Sequence, residues 1–433
     1  MVSLNATPDP KGELGPEPWL KAAATRAVME ALGADGAEVR FIGGCVRDGL
    51  AKRPVKDIDI ATPDRPEKVI ELLERAGLKA VPTGIEHGTV TAVSDGKNFE
   101  ITTLRRDEET DGRHAKVAFT DDWVVDAERR DFTINAMSAN MDGEVFDYNE
   151  GISDLAHGRV RFIGRAETRI DEDYLRILRF FRFYGAYGRP PLNRDAPAAC
   201  RARIGKLAEL SGERIRDELL KILIVADPAD VLVRMQGVGA LGVILPEAGD
   251  VTRLRMLNWL ETRAVNIDGV ATDRLRHLAA ILDTNEPESA ALGVAERLKL
   301  SNAERARLID MMAPTLEINA DMGVGAEMRA IRRLGSDQVR DLALLSWAAE
   351  LVQTPRLPRA RTDAYIALLE RCAQWIAPSF PLTGADVLAL GIDEGPGVGQ
   401  VLERVEDWWE NGGYKADRQQ CLNRLAREVN AQT

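Results

Sequence analysis

Aromatic residues make up only 5% of this 433-residue chain, too few for a base-stacking platform of the RRM kind. Cysteine is scarcer still. Cys45, Cys200, Cys372 and Cys421 lie far apart with no CxxC pair, which argues against a zinc or disulfide framework and points to reduced thiols in a cytoplasm. The four histidines fall at no metal-ligand spacing, and no His-Asp dyad marks an appended metal-dependent phosphohydrolase domain. No apolar run is long enough to cross a membrane, and the polar, proline-rich Met1–Pro18 lacks the apolar segment of a signal peptide. Positive charge is also in deficit. The net charge of −12 looks wrong for a protein that handles nucleic acid, but distribution matters more than the sum. Between Arg159 and Arg189 eight arginines (159, 161, 165, 169, 176, 179, 182, 189) are opposed by four acids (Glu167, Asp171, Glu172, Asp173), so a basic face on an acidic chain is expected.

Among the residues present, Gly43-Gly44-Cys45-Val46-Arg47-Asp48, followed by Asp57-Ile58-Asp59, organises the rest. Ala37–Ile42 alternates like a strand, and two glycines let the chain turn sharply into a helix while a phosphate approaches the backbone N–H groups. Arg47 lies one turn further on, within reach of the same anion. In a strand Asp57 and Asp59 share a face. Two carboxylates so placed repel each other unless a cation sits between them, and hard oxygen ligands beside a phosphate site suggest Mg²⁺. The arrangement reads as a metal-dependent phosphoryl or nucleotidyl transferase; the plain alternative is a tight turn with two solvated acids.

The surrounding pattern predicts a helix over Trp19–Leu32, another opened by Pro66 and running to Arg75, and strands at Val90–Val93 and Asn98–Leu104 joined by an Asp95-Gly96 turn. A small mixed sheet with helices against it follows from that alternation. Beyond Asp171 nearly everything reads as helix, with helical spacing in Ile215–Ile224, Arg274–Leu282 and Val387–Val405. The clearest domain boundary is Gly164–Asp171.

Taken in order, the Gly-Gly turn, the DxD triplet, Arg129-Arg130-Asp131-Phe132-Thr133-Ile134-Asn135-Ala136 and Glu172-Asp173-Tyr174-Leu175-Arg176 resemble the nucleotidyltransferases with a DNA polymerase β-like head. Within them, the chain is most similar to the bacterial-type (class II) CCA-adding tRNA nucleotidyltransferase and poly(A) polymerase family, from about Phe41 to Leu223. The resemblance implies an α+β multidomain protein. A mixed-sheet catalytic head (1–164) would precede an all-α neck (165–225), body (226–325) and tRNA-binding tail (326–433). It implies that Asp57 and Asp59 hold two Mg²⁺ ions, with Glu100 as third catalytic carboxylate. Gly43, Gly44 and Arg47 would hold the triphosphate. Arg129, Arg130, Asp131 and Asn135 would orient ribose and phosphates, and Asp173 and Arg176, continued by Arg179, would face the base. The reaction implied is template-independent addition of C, C and A to the tRNA 3′ end from CTP and ATP, releasing pyrophosphate, with no obligate protein partner.

Two further stretches match the family. Glu86-His87-Gly88-Thr89-Val90 is one. The polar stretch Arg105–Lys116, with Asp111-Gly112-Arg113-His114, resembles a flexible loop that helps switch from C to A, although Leu104, Thr110 and Ala115 replace the commoner Phe, Tyr and Pro. Glu213–Lys221 matches a neck helix and reads as structural, apart from Arg216 and Lys221, and Gly391–Gly399 resembles a tail signature whose Gly-Pro-Gly-Val-Gly reads as a turn between helices.

Residue chemistry supplies a reason for the base assignment. Cytosine and adenine both present an amino donor beside a ring-nitrogen acceptor, whereas uracil and guanine present a carbonyl beside an N–H. An accepting Asp173 and a donating Arg176, three apart on one predicted helix, match the first pair and mismatch the second. The alternative for these two is an ordinary intrahelical ion pair. Rival functions remain a poly(A) polymerase (although Val81–Val93 lacks the usual Gly-Arg signature), a CC-only or A-only enzyme, and an RNA-binding factor on a retired scaffold.

Overall fold

The computed structural model describes residues 9–110, 115–192, 195–393 and 395–430, and Asp111-Gly112-Arg113-His114 lies outside them. The chain forms two compact units, residues 1–226 with 230–246 and residues 227–229 with 247–433. The Gly164–Asp171 stretch lies inside the first of them.

The first unit is built on an eight-stranded sheet. Its strands are β1 (Gly12–Glu13), β2 (Arg40–Ile42), β3 (Ile58–Thr62), β4 (Lys79–Gly84), β5 (Thr89–Ser94), β6 (Lys97–Thr103), β9 (Ser138–Ala139) and β10 (Glu144–Phe146), in the order β1-β10-β9-β2-β3-β6-β5-β4. All neighbours are antiparallel except β3 and β6, which run parallel with Asp59 opposite Glu100. Helices α1 (Ala23–Gly33) and α3 (Pro66–Arg75) cover one face of the sheet. Val28, Leu32, Val69 and Leu73 bury themselves there against Phe41, Ile60, Val90, Phe99 and Ile101. Along β6 the inward Phe99 and Ile101 alternate with an outward Glu100, the period-2 consequence of a strand with one buried face. The expected Asp95-Gly96 turn joins β5 and β6 with positive φ at both residues, which suits a two-residue hairpin.

The polar stretch expected as a loop is instead largely a hairpin, β7 (Arg105–Thr110) with β8 (Ala115–Phe119), standing as its own two-stranded sheet. Ladder hydrogen bonds need no apolar periodicity, which is why the stretch showed none.

Helix α2 (Gly44–Leu50) follows the Gly-Gly turn, and α4 (Trp123–Glu128) is capped by the Asp122 carboxylate. After α5 (Gly151–His157) come α6 (Ala166–Glu172), α7 (Leu175–Tyr187), α8 (Asp195–Ala202), α9 (Gly212–Ile222), α10 (Pro228–Val238) and α11 (Ala240–Ile244). Ile177, Leu178, Phe180, Phe181 and Tyr184 anchor α7 in the core as expected, while Leu175 stays half-buried.

The second unit is helical from Thr252 onward. The stretch Val387–Val405, expected as one helical run, divides into Gly384–Leu388 and Pro396–Asn411, and Pro396 sits at a helix start, where its missing N–H costs nothing. Gly-Pro-Gly-Val-Gly is therefore mainly the first turn of a helix. Among the described residues, no helix is long and apolar enough to cross a membrane.

Candidate active site

Gly43 ends β2 and caps α2 with φ +65°, a backbone conformation open to glycine and strained for most other residues. A Cβ there would also lie 3.3 Å from Nη1 of Arg130 and 3.7 Å from the Asn135 carbonyl oxygen, so the turn is packed against the Arg129–Asn135 segment. Arg47, one turn into α2, donates to Asn135 Oδ1 at 2.6 Å and to both Asp48 carboxylate oxygens at 3.0 Å. Its guanidinium lies 4.6 Å from the Tyr187 ring centre, and the Tyr187 hydroxyl in turn bonds Asp48.

A cavity of about 430 Å³ opens in front of this turn. Eleven of the thirteen expected site residues line it: Gly43, Gly44, Arg47, Asp59, Arg129, Arg130, Asp131, Asn135, Asp173, Arg176 and Arg179. Asp57 and Glu100 do not, and Leu175, Phe183 and Arg214 join them. Six arginines against three aspartates make the cavity electropositive, so a basic site does exist on an acidic protein. It draws only Arg176 and Arg179 from the 159–189 series; Arg159 and Arg161 instead pair with the buried Asp154.

The Asp59 carboxyl is half-buried and pushed up to about 6, first by burial and next by the neighbouring charge of Glu100. Asp57 adds to the rise, while Arg130 and Arg47 oppose it. Strand order is the cause: β3 runs parallel to β6 and sets Glu100 directly beside Asp59. Asp57, just ahead of β3, is exposed.

Among the described residues no group of three or more His, Cys, Asp or Glu side chains is gathered closely enough to hold a metal ion. Glu100 sits opposite Asp59 and raises it through charge. Mg²⁺ typically takes one or two carboxylates and leaves its other positions to water and substrate phosphates. Asp57 and Asp59 fit that pattern, and the raised Asp59 marks negative charge that a cation would neutralise.

The arginines are held in place by a ladder of carboxylates. Asp126, buried on α4, accepts from Arg129 Nε at 2.8 Å and from Arg130 Nη2 at 3.0 Å. Asp131, also buried, accepts from the Phe132 N–H at 2.9 Å, Asn135 Nδ2 at 3.1 Å and Arg179 Nε at 2.6 Å. Burial pushes the Asp131 carboxyl up, but Arg179, Asn135 and Arg176 more than offset it, leaving it below the ordinary range. Asn135 bridges Arg47 and Asp131. Glu218 on α9 accepts from Arg182 at 2.6 Å and lies 4.0 Å from Arg179, extending the ladder away from the cavity.

The base-reading pair departs from expectation. Asp173 and Arg176 do not share a helix: Asp173 is extended (φ −158°, ψ 109°) in the break between α6 and α7. Its Oδ1 accepts the Leu175 N–H at 3.1 Å, so its carboxylate starts α7 and cannot sit along it. Nor do the two pair. Arg176 bonds Glu172 and donates to the Arg169 carbonyl at 2.9 Å, while Asp173 Oδ2 accepts from Arg214 Nη2 at 2.7 Å. Both still line the cavity. Arg214, assigned only a structural place from sequence, thus lines the cavity, and nothing local signalled a partner 41 residues away.

Comparison with known proteins gives a consistent outcome. Residues 39–161 match the family described as Poly A polymerase head domain, and residues 193–250 match the family described as Probable RNA and SrmB- binding site of polymerase A. The chain is 34% identical over 394 residues to CCA tRNA nucleotidyltransferase 1, mitochondrial, of Danio rerio, covering 90% of this chain and 87% of that protein. Against the Homo sapiens protein of the same name it is 34% identical over 393 residues, with the same two shares. In fold it resembles the Bacillus stearothermophilus CCA-adding enzyme solved with CTP (TM-score 0.76, 24% identity, 96% of this chain and 99% of that one). It also resembles the Thermotoga maritima CCA-adding enzyme solved with tRNA (TM-score 0.61, 20% identity, 93% and 94%). With a third of its residues shared across nearly the full length of such relatives, the chain belongs to the CCA tRNA nucleotidyltransferase family.

Proposed function

We propose that the chain adds C, C and A to the 3′ end of tRNA from CTP and ATP, without a nucleic-acid template and with release of pyrophosphate. One observation carries the chemistry: a single cavity lined by the Gly43–Gly44 turn, six arginines and the charge-crowded Asp59. Divalent metal use goes with this type of nucleotidyltransferase; that the metal is Mg²⁺, and that two ions act, is part of the proposal. Held by Asp57, Asp59 and substrate phosphates, such ions would acidify the attacking ribose hydroxyl and neutralise the departing pyrophosphate.

The chain's own residues bind and orient. The backbone N–H groups of the glycine turn and the Arg47 guanidinium face the triphosphate. Arg129 and Arg130, each braced by Asp126, offer planar forks to phosphate oxygens. Asp131 and Asn135 stand where a ribose 2′-hydroxyl can be recognised, with Arg179 fixing Asp131. Asp173 accepts from the amino group shared by cytosine and adenine, and Arg176 donates to the adjoining ring nitrogen. Uracil or guanine would leave both unpaired, at about 1–3 kcal/mol for each buried group.

The four-part division into head, neck, body and tail, with the tail binding tRNA, belongs to the same reading. So does a cytoplasmic location, for which the four reduced, buried cysteines are the support; the vertebrate relatives are named as mitochondrial, and cell fractionation distinguishes the two. The deciding assay supplies each labelled NTP to a tRNA lacking its last three nucleotides. Two C additions followed by one A are expected. An extended A tract would favour the poly(A) reading, stopping after CC or adding only A would favour a partial enzyme, and no incorporation would leave an RNA-binding factor.

A further inference from the structure

We propose a second RNA-contacting surface on the first unit, a cationic groove beside Tyr187 that holds backbone phosphates of the substrate RNA. The inference rests on the tRNA reading above.

Two cavities adjoin there, of about 400 and 290 Å³, and share Arg189. Lys52 and Arg53 line the first; Arg159 and Arg161 line the second; no carboxylate lines either. Most arginines of this unit are tied to acids, including all six of the catalytic cavity. Lys52, Arg53 and Arg189 differ: among the described residues none of them is paired with a carboxylate, although the chain carries twelve more acids than bases. The Asp48 carboxylate beside Tyr187 is already taken by Arg47 and the tyrosine hydroxyl, so these three cations repel one another with charge to spare, and a polyanion would relieve it.

The groove is also shaped. The Arg189 N–H donates to the Gly158 carbonyl at 2.8 Å, and the Arg189 stem lies so close that a Cβ on Gly158 would stand 2.5 Å from its Cγ. Arg189 is therefore a fixed wall between the cavities. Arg53 is fixed as well, donating to the Ala186 carbonyl at 2.5 Å with its guanidinium 4.3 Å from the Tyr187 ring centre. The same ring lies 4.6 Å from Arg47 of the catalytic cavity. One side chain thus joins the groove to the place where the 3′ end reacts. A strand ending in that cavity would have its preceding phosphates close by, and phosphates impose no sequence demand, as suits an enzyme acting on many RNAs of one shape.

The test is the double variant Lys52→Gln/Arg189→Gln, which leaves the catalytic cavity intact. Binding of a tRNA lacking its terminal CCA is measured across KCl concentrations. Losing two phosphate contacts should flatten the slope of log Kd against log salt by about 1.5 and weaken binding roughly tenfold at moderate salt. The KM for CTP should stay within twofold, and the control Lys79→Gln/Lys97→Gln, which removes equal charge from exposed positions on the sheet, should bind like wild type. If the double variant folds poorly, Lys52→Gln alone should give about half the slope change. Unchanged slope and Kd, or the same loss in the control, would overturn the groove. CTP incorporation by the wild-type enzyme is read separately, so a failed groove and a failed function are told apart.

Discussion

Replacing Asp59 with Asn should stabilise the protein and inactivate it together. The carboxyl is raised from 3.8 to about 6, by burial first and then by Glu100 and Asp57, against the pull of Arg130 and Arg47. At 1.36 kcal/mol per unit this corresponds to about 3 kcal/mol, and hydration of the open cavity cuts it to about 1–2 kcal/mol. The sign is set by proton binding. Because the folded value lies above the unfolded one, the native state holds more protons between pH about 4 and 6. Stability is therefore lost as pH rises through that window, and the full penalty applies at pH 7.5. Asparagine keeps the shape without the charge. In urea unfolding with EDTA present, the variant should exceed wild type by about 1–2 kcal/mol at pH 7.5, and the gap should close by pH 4. Comparing the two proteins at each pH cancels the other titrating groups. Mg²⁺ should narrow the gap by stabilising only wild type, and CTP incorporation by the variant should drop by about a thousandfold or more. A variant less stable than wild type at pH 7.5, or a gap independent of pH, would refute the crowding of carboxylates; near-normal turnover would remove Asp59 from the chemistry.

Other expectations follow from the same contacts. Arg214→Gln frees the Asp173 carboxylate, so misincorporation of UTP and GTP relative to CTP and ATP should rise about tenfold in single-nucleotide assays, with little change in melting temperature. Exchanging Asp173 and Arg176 should favour UTP or GTP only when Arg214 is also replaced by an acid, because an arginine at 173 would otherwise face Arg214; competition assays with all four nucleotides measure this. Asp131→Asn deprives Arg179 of its carboxylate and weakens the hold on Asn135, which in turn accepts from Arg47, and should cost about 2–3 kcal/mol in urea unfolding and raise the KM for both nucleotides. Glu100→Gln should lower turnover by about tenfold, far less than Asp57→Asn, if Glu100 acts by charge rather than as a ligand; equal losses in steady-state turnover would make it a ligand.

The strand, glycine turn and helix were legible because each is a local event: alternation, a φ > 0 requirement and a helix start lie within a dozen residues. Pro66–Arg75 and the Asp95-Gly96 hairpin were legible for the same reason. β9 and β10, two and three residues long, were too short to leave a period, yet they place Ser138 and Ala139 beside β2. The parallel pairing that sets Glu100 beside Asp59 joins strands across α3, β4 and β5, and no local pattern encodes it. The Asp173 break went unread because Glu172-Asp173-Tyr174 contains neither Gly nor Pro. An aspartate whose carboxylate bonds the N–H two residues on ends one helix while starting another, and that choice depends on Arg214 as much as on the dipeptide itself.

The ladder Asp48–Arg47–Asn135–Asp131–Arg179–Glu218 explains how an electropositive cavity persists in an acidic protein. Unpaired guanidiniums crowded into a 430 Å³ space would repel each other and stay hydrated, and a triphosphate would have to strip that water. Here each guanidinium already spends one edge on a carboxylate or amide behind it, which fixes its direction and offsets part of its charge. What binding must supply is then small: ordering is done in advance, and the forward edge alone is exchanged from water to phosphate. The same arrangement makes each carboxylate behind the wall matter. Removing one does not subtract a contact from substrate; it releases an arginine from its aim and leaves buried positive charge unbalanced, so the loss should register in stability and in KM together. A residue that touched only substrate would move KM alone, so a substitution at Asp126 or Glu218 that shifts KM without lowering stability would refute the bracing role.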